Sequence, residues 1–231
     1  MKQRNTEKGS ALFIILIGIV LFAALSFVVA QMFRGQSSTN LTREKVQLSA
    51  SEMLEYANGL RAAVQNMKIS NGCTDTDISF ENAIVTGYAH SPATRDACMI
   101  FNQSGGGMAY VEPQEVWLDS NHASDTKYGE YVMLRSFKVN GLGSEEADLA
   151  VALNYVQKEI CLELNTHLDI TNPSNNPPKN VDDLHTTEIF TGAYDSTSDA
   201  VDAAQLNGKP MGCVQSADGS NNVFYQVLIA R

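Results

Sequence analysis

The stretch Ser10-Ala11-Leu12-Phe13-Ile14-Ile15-Leu16-Ile17-Gly18-Ile19-Val20-Leu21-Phe22-Ala23-Ala24-Leu25-Ser26-Phe27-Val28-Val29-Ala30 decides how this chain is read. In residues 11–30, 18 of 20 are apolar, and no charge follows Lys8 until Arg34. Wound as a helix, such a run is long enough to cross the hydrocarbon core of a bilayer. Ahead of it lies a leader, residues 1–9, in which Lys2, Arg4 and Lys8 outweigh Glu7 and which stops at Gly9.

Three readings of this N-terminus follow from the residues. In one, the basic leader stays cytoplasmic and the uncut helix anchors a domain outside, as the positive-inside rule requires. In another, Val28-Val29-Ala30 is a small-residue cleavage site and the secreted protein begins at Gln31. In the third, a cytoplasmic-side peptidase cuts between Gly9 and Ser10, and the whole apolar helix stays on the mature chain.

The third reading is a resemblance. Lys8-Gly9-Ser10-Ala11-Leu12-Phe13-Ile14-Ile15-Leu16 resembles the leader and first helical turns of type IV pilin-like proteins, including type II secretion pseudopilins. The resemblance implies cleavage by prepilin peptidase between Gly9 and Ser10 and methylation of the new N-terminus. It also implies an assembly helix that begins Ala11, Leu12, Phe13, Ile14, Ile15, Leu16 and packs among the helices of other pilin-like subunits. One position departs from the pattern. The fifth residue after the cut is Glu in most of the family, where it is thought to pair with a neighbouring subunit's amine; here it is Ile14. Ile14 can neither accept a proton nor offset a buried charge. The departure therefore implies a minor or tip subunit rather than the repeating body of a filament. The specific part of the resemblance covers about residues 1–35.

Residues 34–68 read as an amphipathic stalk. From Ser37 to Lys68 there is no proline, and apolar residues recur at Leu41, Val46, Leu48, Met53, Leu54, Ala57, Leu60, Val64 and Met67. Met53, Ala57, Leu60, Val64 and Met67 follow the 4, 3, 4, 3 spacing of one helix face. Membrane half and stalk half together read as one rod with a weak point at Gly35-Gln36.

Residues 69–231 read as a globular α+β domain, periplasmic or extracellular, and the resemblance implies that an antiparallel sheet in it receives the stalk helix. The candidate strands are 83–89, 97–101, 108–111, 116–118, 130–139 and 223–230, with a hairpin at Ser104-Gly105-Gly106-Gly107. An additional helix is expected to start at Ser144 as N-cap, with Leu149, Leu153, Val156, Ile160 and Leu164 as its apolar stripe. Residues 172–180 (Asn-Pro-Ser-Asn-Asn-Pro-Pro-Lys-Asn) read as a loop and 191–207 as a mobile insertion.

Four cysteines in an exported domain suggest an oxidising compartment and two disulfides, for which sequence permits three pairings. Cys73–Cys98 with Cys161–Cys213 is the preferred pairing. The first closes the loop after the stalk; the second ties the additional helix to the segment entering the last strand. The resemblance fits the second, because many pilin-like proteins close a C-terminal loop with a disulfide. No two cysteines lie at C-x-x-C spacing, which weighs against zinc.

The formal net charge of −10, which becomes −12 without the leader, argues against nucleic acid as a partner, since binding phosphates needs a basic face. The sequence lacks the nucleophile-elbow, zincin, Walker and dinucleotide-binding signatures. Gly141-Leu142-Gly143 ahead of a helix suggests an anion site, but Glu145 and Glu146 would repel a phosphate. The four histidines (His90, His122, His167, His185) are dispersed. Asp75, Asp77, Asp195, Asp199 and Asp202 offer oxygen ligands of the kind calcium takes, without an EF-hand pattern. No other cofactor is expected.

The expectation is a non-enzymatic, single-pass subunit of a type IV pilus or type II secretion pseudopilus. Its partners would be other pilin-like subunits, prepilin peptidase and the bacterial inner membrane. The alternative is a signal-anchored or secreted periplasmic binding or enzymatic domain.

Overall fold

A computed structural model describes residues 8–196 and 199–231, leaving aside the side chains of 8–14 and 23–41. The chain divides into two compact units, Met1–Lys45 and Val46–Arg231. Helix α1 runs Lys8–Ser70. Its residues 46–70 belong to the second unit, where Ala50, Met53, Ala57, Leu60, Val64 and Met67 are all fully buried. These positions form the stripe expected from spacing, extended one turn back to Ala50. Leu48, counted with the apolar positions of the stalk, points into solvent instead. The helix stops where Gly72 takes a φ of 62°, which lets the N–H groups of Asn71 and Cys73 both return to the Met67 carbonyl, at 3.0 and 3.3 Å.

The second unit is mixed α+β. Its strands are β1 (Tyr131–Val139), β2 (Asp148–Leu153), β3 (Asp199–Val201), β4 (Met211–Gln215) and β5 (Asn222–Ile229), in the order β3-β1-β2-β5-β4. Neighbours β1-β2, β2-β5 and β5-β4 are antiparallel. The expected all-antiparallel sheet needs correction at one edge, where β3 pairs with β1 in parallel.

Both faces of the sheet are covered. One face carries Tyr131, Met133, Leu149, Val151, Leu153 and Phe224 into a core shared with residues 50–67 and with helix α2 (Lys158–His167). The other carries Val132, Leu134, Phe137, Ala150, Ala152 and Tyr225 against Ile170, Val201, Ala203 and Leu206. A strand sandwiched this way is buried at every position, as β2 is throughout, and apolar from Leu149 to Leu153.

That double burial corrects the expected helix over 144–164. Leu149 and Leu153 lie four apart, and an even separation places two side chains on one side of a strand as well as near one side of a helix. The apparent stripe therefore joins two periods: Leu149, Val151 and Leu153 on β2, then Ile160 and Leu164 on α2. Ser144 caps no helix; its Oγ accepts from the Glu146 N–H at 3.1 Å in a local turn.

The proposed strands at 83–89, 97–101, 108–111 and 116–118 are also corrected. Residues 71–118 form turns and short 3₁₀ segments, with isolated bridges at Ser79–Met99 and Leu118–Val156. Their apolar side chains, among them Ile78, Phe80, Ile100 and Trp117, fill the core beside α1 rather than a second ladder. Ser104–Gly107 is a tight turn, not a strand hairpin. A Cβ on Gly105 would fall 2.1 Å from the Met99 carbonyl oxygen, so only glycine permits that approach. Of the expected insertion 191–207, residues 199–207 are part of the fold, contributing β3 and the buried Leu206; residues 197–198 lie outside the described residues.

Asp148 opens β2 fully buried. Its Oδ1 accepts from the Arg231 N–H at 2.9 Å, while Oδ2 lacks a hydrogen-bond partner. Burial pushes this carboxyl above its ordinary range, against hydrogen bonds from the Arg231 and Val139 backbones and the charges of Arg231 and Lys138. The raised value means that, as pH falls toward the unfolded-chain value near 3.9, the folded state binds a proton before the unfolded state does. Asp148 therefore favours folding more at low pH. In paired urea titrations of wild type and Asp148→Asn, the wild type should gain relative stability as pH is lowered from 7 to about 4. A difference that stays constant over that range would contradict the assignment.

Candidate functional site

The exposed helix comes first. Residues 15–22 are apolar apart from Gly18, and Ile15, Leu16, Ile17, Ile19, Val20, Leu21 and Phe22 are between 43 and 74% exposed. A Cβ at Gly18 would meet nothing within 4 Å. Eight consecutive residues turn more than twice around a helix, so this segment is apolar on every side. Full burial of side chains of this size is favourable by roughly 1.5–3 kcal/mol each.

Of the residues assigned to processing and assembly, Gly9, Ser10, Ala11, Leu12, Phe13 and Ile14 lie where no side chains are described; Ile15 and Leu16 are described and exposed. Among the described residues, no helix is long and apolar enough to cross a membrane. Most of the predicted span, residues 10–33, lies outside the stretch with described side chains.

Both preferred disulfides are present. Cys73–Cys98 has a Cα separation of 5.8 Å and Cys161–Cys213 one of 5.4 Å, both ordinary for the bond. The first closes the turn-rich segment beginning three residues after the end of α1. The second joins α2 to β4.

Around the second bond a polar device closes the edge of the sheet. Asn165, buried on α2, donates from Nδ2 to the Cys213 carbonyl and accepts at Oδ1 from the Cys213 N–H, both at 2.9 Å. Its amide thereby substitutes for a neighbouring strand. One residue pair on, Gln215 N–H donates to the Pro178 carbonyl and Asn180 N–H to the Gln215 carbonyl, both at 2.8 Å. The side chain of the same Asn180 reaches the opposite edge, donating to the Ala200 carbonyl at 2.8 Å and accepting from the Asp202 N–H at 2.9 Å. One asparagine thus joins β4 to β3.

The margin of β1 at Tyr131 and Met133 is buried and closed by phenols. Met133 N–H donates to the Tyr88 hydroxyl at 3.1 Å, and Tyr131 N–H donates to the Tyr110 hydroxyl at 3.2 Å. Burial raises the pKa of both tyrosines well above the ordinary value, so they remain neutral. Sheet edges satisfied in this way offer little to an added strand.

The remaining candidates do not gather into one site. Asp75 pairs with Lys68 at 2.5 Å, Asp195 with Arg135 at 3.2 Å and Asp199 with His185 at 3.1 Å. Asp77 accepts from Thr74 N–H at 2.8 Å, and Asp202 accepts from Val181 N–H at 2.7 Å. Among the described residues, no three carboxylate, histidine or cysteine side chains converge on a point that could hold a metal ion. The histidines stay apart: His122 stacks on Tyr155 with ring centroids 4.7 Å apart, His167 meets Glu163, and His90 packs edge-on to Phe190. A shallow cleft of about 220 Å³ adjoins His90, lined by Thr76, Asp77, Ser91, Thr94 and Thr191 among others. Gly141-Leu142-Gly143 leads into β2, not a helix, and Gly143 lies against the Arg231 carbonyl. It provides no helix N-terminus for an anion.

Sequence reasoning passed over Asn165, Asn180, Tyr88 and Tyr110. Only Asn165 carried a signal: an amide four residues after Cys161, on the apolar side of a helix. Compared with known proteins, the chain matches no family model, no curated protein and no solved structure.

Proposed function

We propose that this chain is a non-enzymatic subunit of a type IV pilus or type II secretion pseudopilus, minor or tip-located, assembled through its N-terminal apolar helix after cleavage at Gly9. The observation that carries this reading is the helix segment 15–22, apolar and exposed on all sides, which follows within six residues a basic leader that ends Lys8-Gly9. A helix apolar all round requires lipid or other apolar helices. The Val46–Arg231 unit supports the same reading by covering both faces of its sheet and closing its edges with its own side chains. Its two disulfides suit the oxidising side of an inner membrane. Ile14 in place of the usual Glu favours a position that is not repeated along a filament.

The test is the mature N-terminus, read by mass spectrometry of membrane fractions with and without active prepilin peptidase. The expected result is a peptidase-dependent start at Ser10 with the apolar helix retained, abolished by Gly9→Leu. A start at Met1 or Gln31 would overturn the assembly reading in favour of an anchored or secreted domain.

A further inference from the structure

The two disulfides have different surroundings. Cys161 and Cys213 are both fully buried, and among the described residues no hydrogen-bond donor approaches their sulfurs. Cys98 is fully buried as well, but Cys73 retains 5% exposure. The Arg95 guanidinium lies over this first bond, with Nη2 at 3.2 Å from Cys98 Sγ and 3.9 Å from Cys73 Sγ. The same nitrogen donates to the Asn71 carbonyl at 3.3 Å, which ties it to the end of α1. Nearby carboxylates are engaged elsewhere: Asp75 by Lys68 and Asp77 by Thr74. Among the described residues Arg95 forms no salt bridge; its charge also acts at longer range on Asp77, but the groups it touches are the two sulfurs and the Asn71 carbonyl.

A cation beside one sulfur matters for thiol–disulfide exchange. The attacking thiolate displaces the other sulfur as a thiolate, and the exchange accelerates as that leaving group becomes more acidic. A guanidinium at contact distance stabilises the thiolate form. Access favours attack at Cys73, and charge favours departure from Cys98, so both effects point in one direction.

We propose that Cys73–Cys98 is an exchange-competent disulfide at which an external dithiol opens this domain, while Cys161–Cys213 is a closed staple. The dithiol's thiolate bonds to Cys73 Sγ as the Cys73–Cys98 bond breaks, and the electron pair leaves on Cys98 Sγ beside Arg95. The second thiol of the reductant, once deprotonated, attacks its own sulfur in the mixed disulfide. This releases Cys73 as a thiolate, which takes up a proton, and oxidises the dithiol to its cyclic or protein disulfide. Opening the bond frees the segment that carries Tyr88 to the margin of β1.

The experiment is partial reduction of the folded full-length chain in detergent with dithiothreitol at pH 7, followed by acid quench, alkylation and peptide mass spectrometry. Cys73 and Cys98 should be alkylated at least about tenfold faster than Cys161 and Cys213. In Arg95→Met that within-molecule ratio should fall by about threefold or more, and Arg95→Lys should restore part of it. Because both bonds are read in the same molecule, a general loosening of the fold changes both rates and does not imitate the result. Equal rates, faster opening of Cys161–Cys213, or a ratio unchanged or raised in Arg95→Met would overturn the proposal.

Discussion

Replacing Cys161 and Cys213 together by alanine is expected to destabilise the domain by about 4 kcal/mol, the larger of the two disulfide losses. The bond closes 51 intervening residues, and loop-closure entropy grows with the logarithm of that number. The Cys73–Cys98 pair, with 24 between them, should cost about 3.5 kcal/mol by the same relation. Packing adds to the difference, because Cys161 and Cys213 are both fully buried where α2 meets the edge strand β4. For a unit of this size, 4 kcal/mol corresponds to a fall in Tm of roughly 8–16 °C. The check is thermal unfolding of the oxidised full-length chain and the double variant, followed by near-ultraviolet circular dichroism. A loss below about 1 kcal/mol would mean that the amide pairing of Asn165 with Cys213 holds the junction without the covalent bond.

Asn180→Leu is the second large effect, expected at about 3 kcal/mol. Leucine keeps the backbone N–H bond to Gln215 but removes the side-chain bonds to Ala200 and Asp202. It also removes the 3.0 Å bond from Nδ2 to the Asp182 carbonyl. Each unpartnered backbone group in a largely buried site costs roughly 1–3 kcal/mol. Asn180 is nearly fully buried, so water cannot freely replace the amide. Asn180→Asp should recover little, since it restores the acceptor but buries a charge and loses the donor. Urea unfolding of the three proteins checks this, and a cost under about 0.5 kcal/mol for the leucine variant would refute a joining role. Hydrogen exchange offers a finer view: the amide of Asp202 should lose protection before those of β2.

Much of the fold was legible where a local signal is strong. Residues 50–67 show one stripe because the helix is covered along one side, and β1 and β5 were visible as long β-branched and aromatic runs. Strand β2 was not: cover on both faces removes its alternation, and its Leu- and Ala-rich sequence, with Leu149 and Leu153 four apart, fits a helix face as well. Segments 83–89 and 108–111 failed for the opposite reason. Their residues have strand-like composition, yet their backbone groups find partners in turns and side chains rather than in a ladder. Strand β3 is three residues of Asp-Ala-Val; such a sequence becomes a strand only because β1 presents an unpaired edge to it.

The two disulfides were legible from an even cysteine count and compartment, and their pairing was a preference among three that the structure decides; the polar closure of the sheet was not legible. Asn165 and Asn180 act on backbone groups 48 and 20–35 positions away in sequence, and no local pattern encodes a partner at such distances.

By itself, the sequence determined an apolar run behind a basic leader, one amphipathic helix face and an even set of four cysteines. Each follows from local periodicity or composition, which act over a few residues. Tertiary structure decided that Leu149 and Leu153 belong to a strand, that a three-residue segment runs parallel to β1, and that single asparagines and tyrosines complete the sheet. Those outcomes depend on which backbone donors and acceptors remain unpaired after the core has formed. That condition exists only once distant parts of the chain have come together.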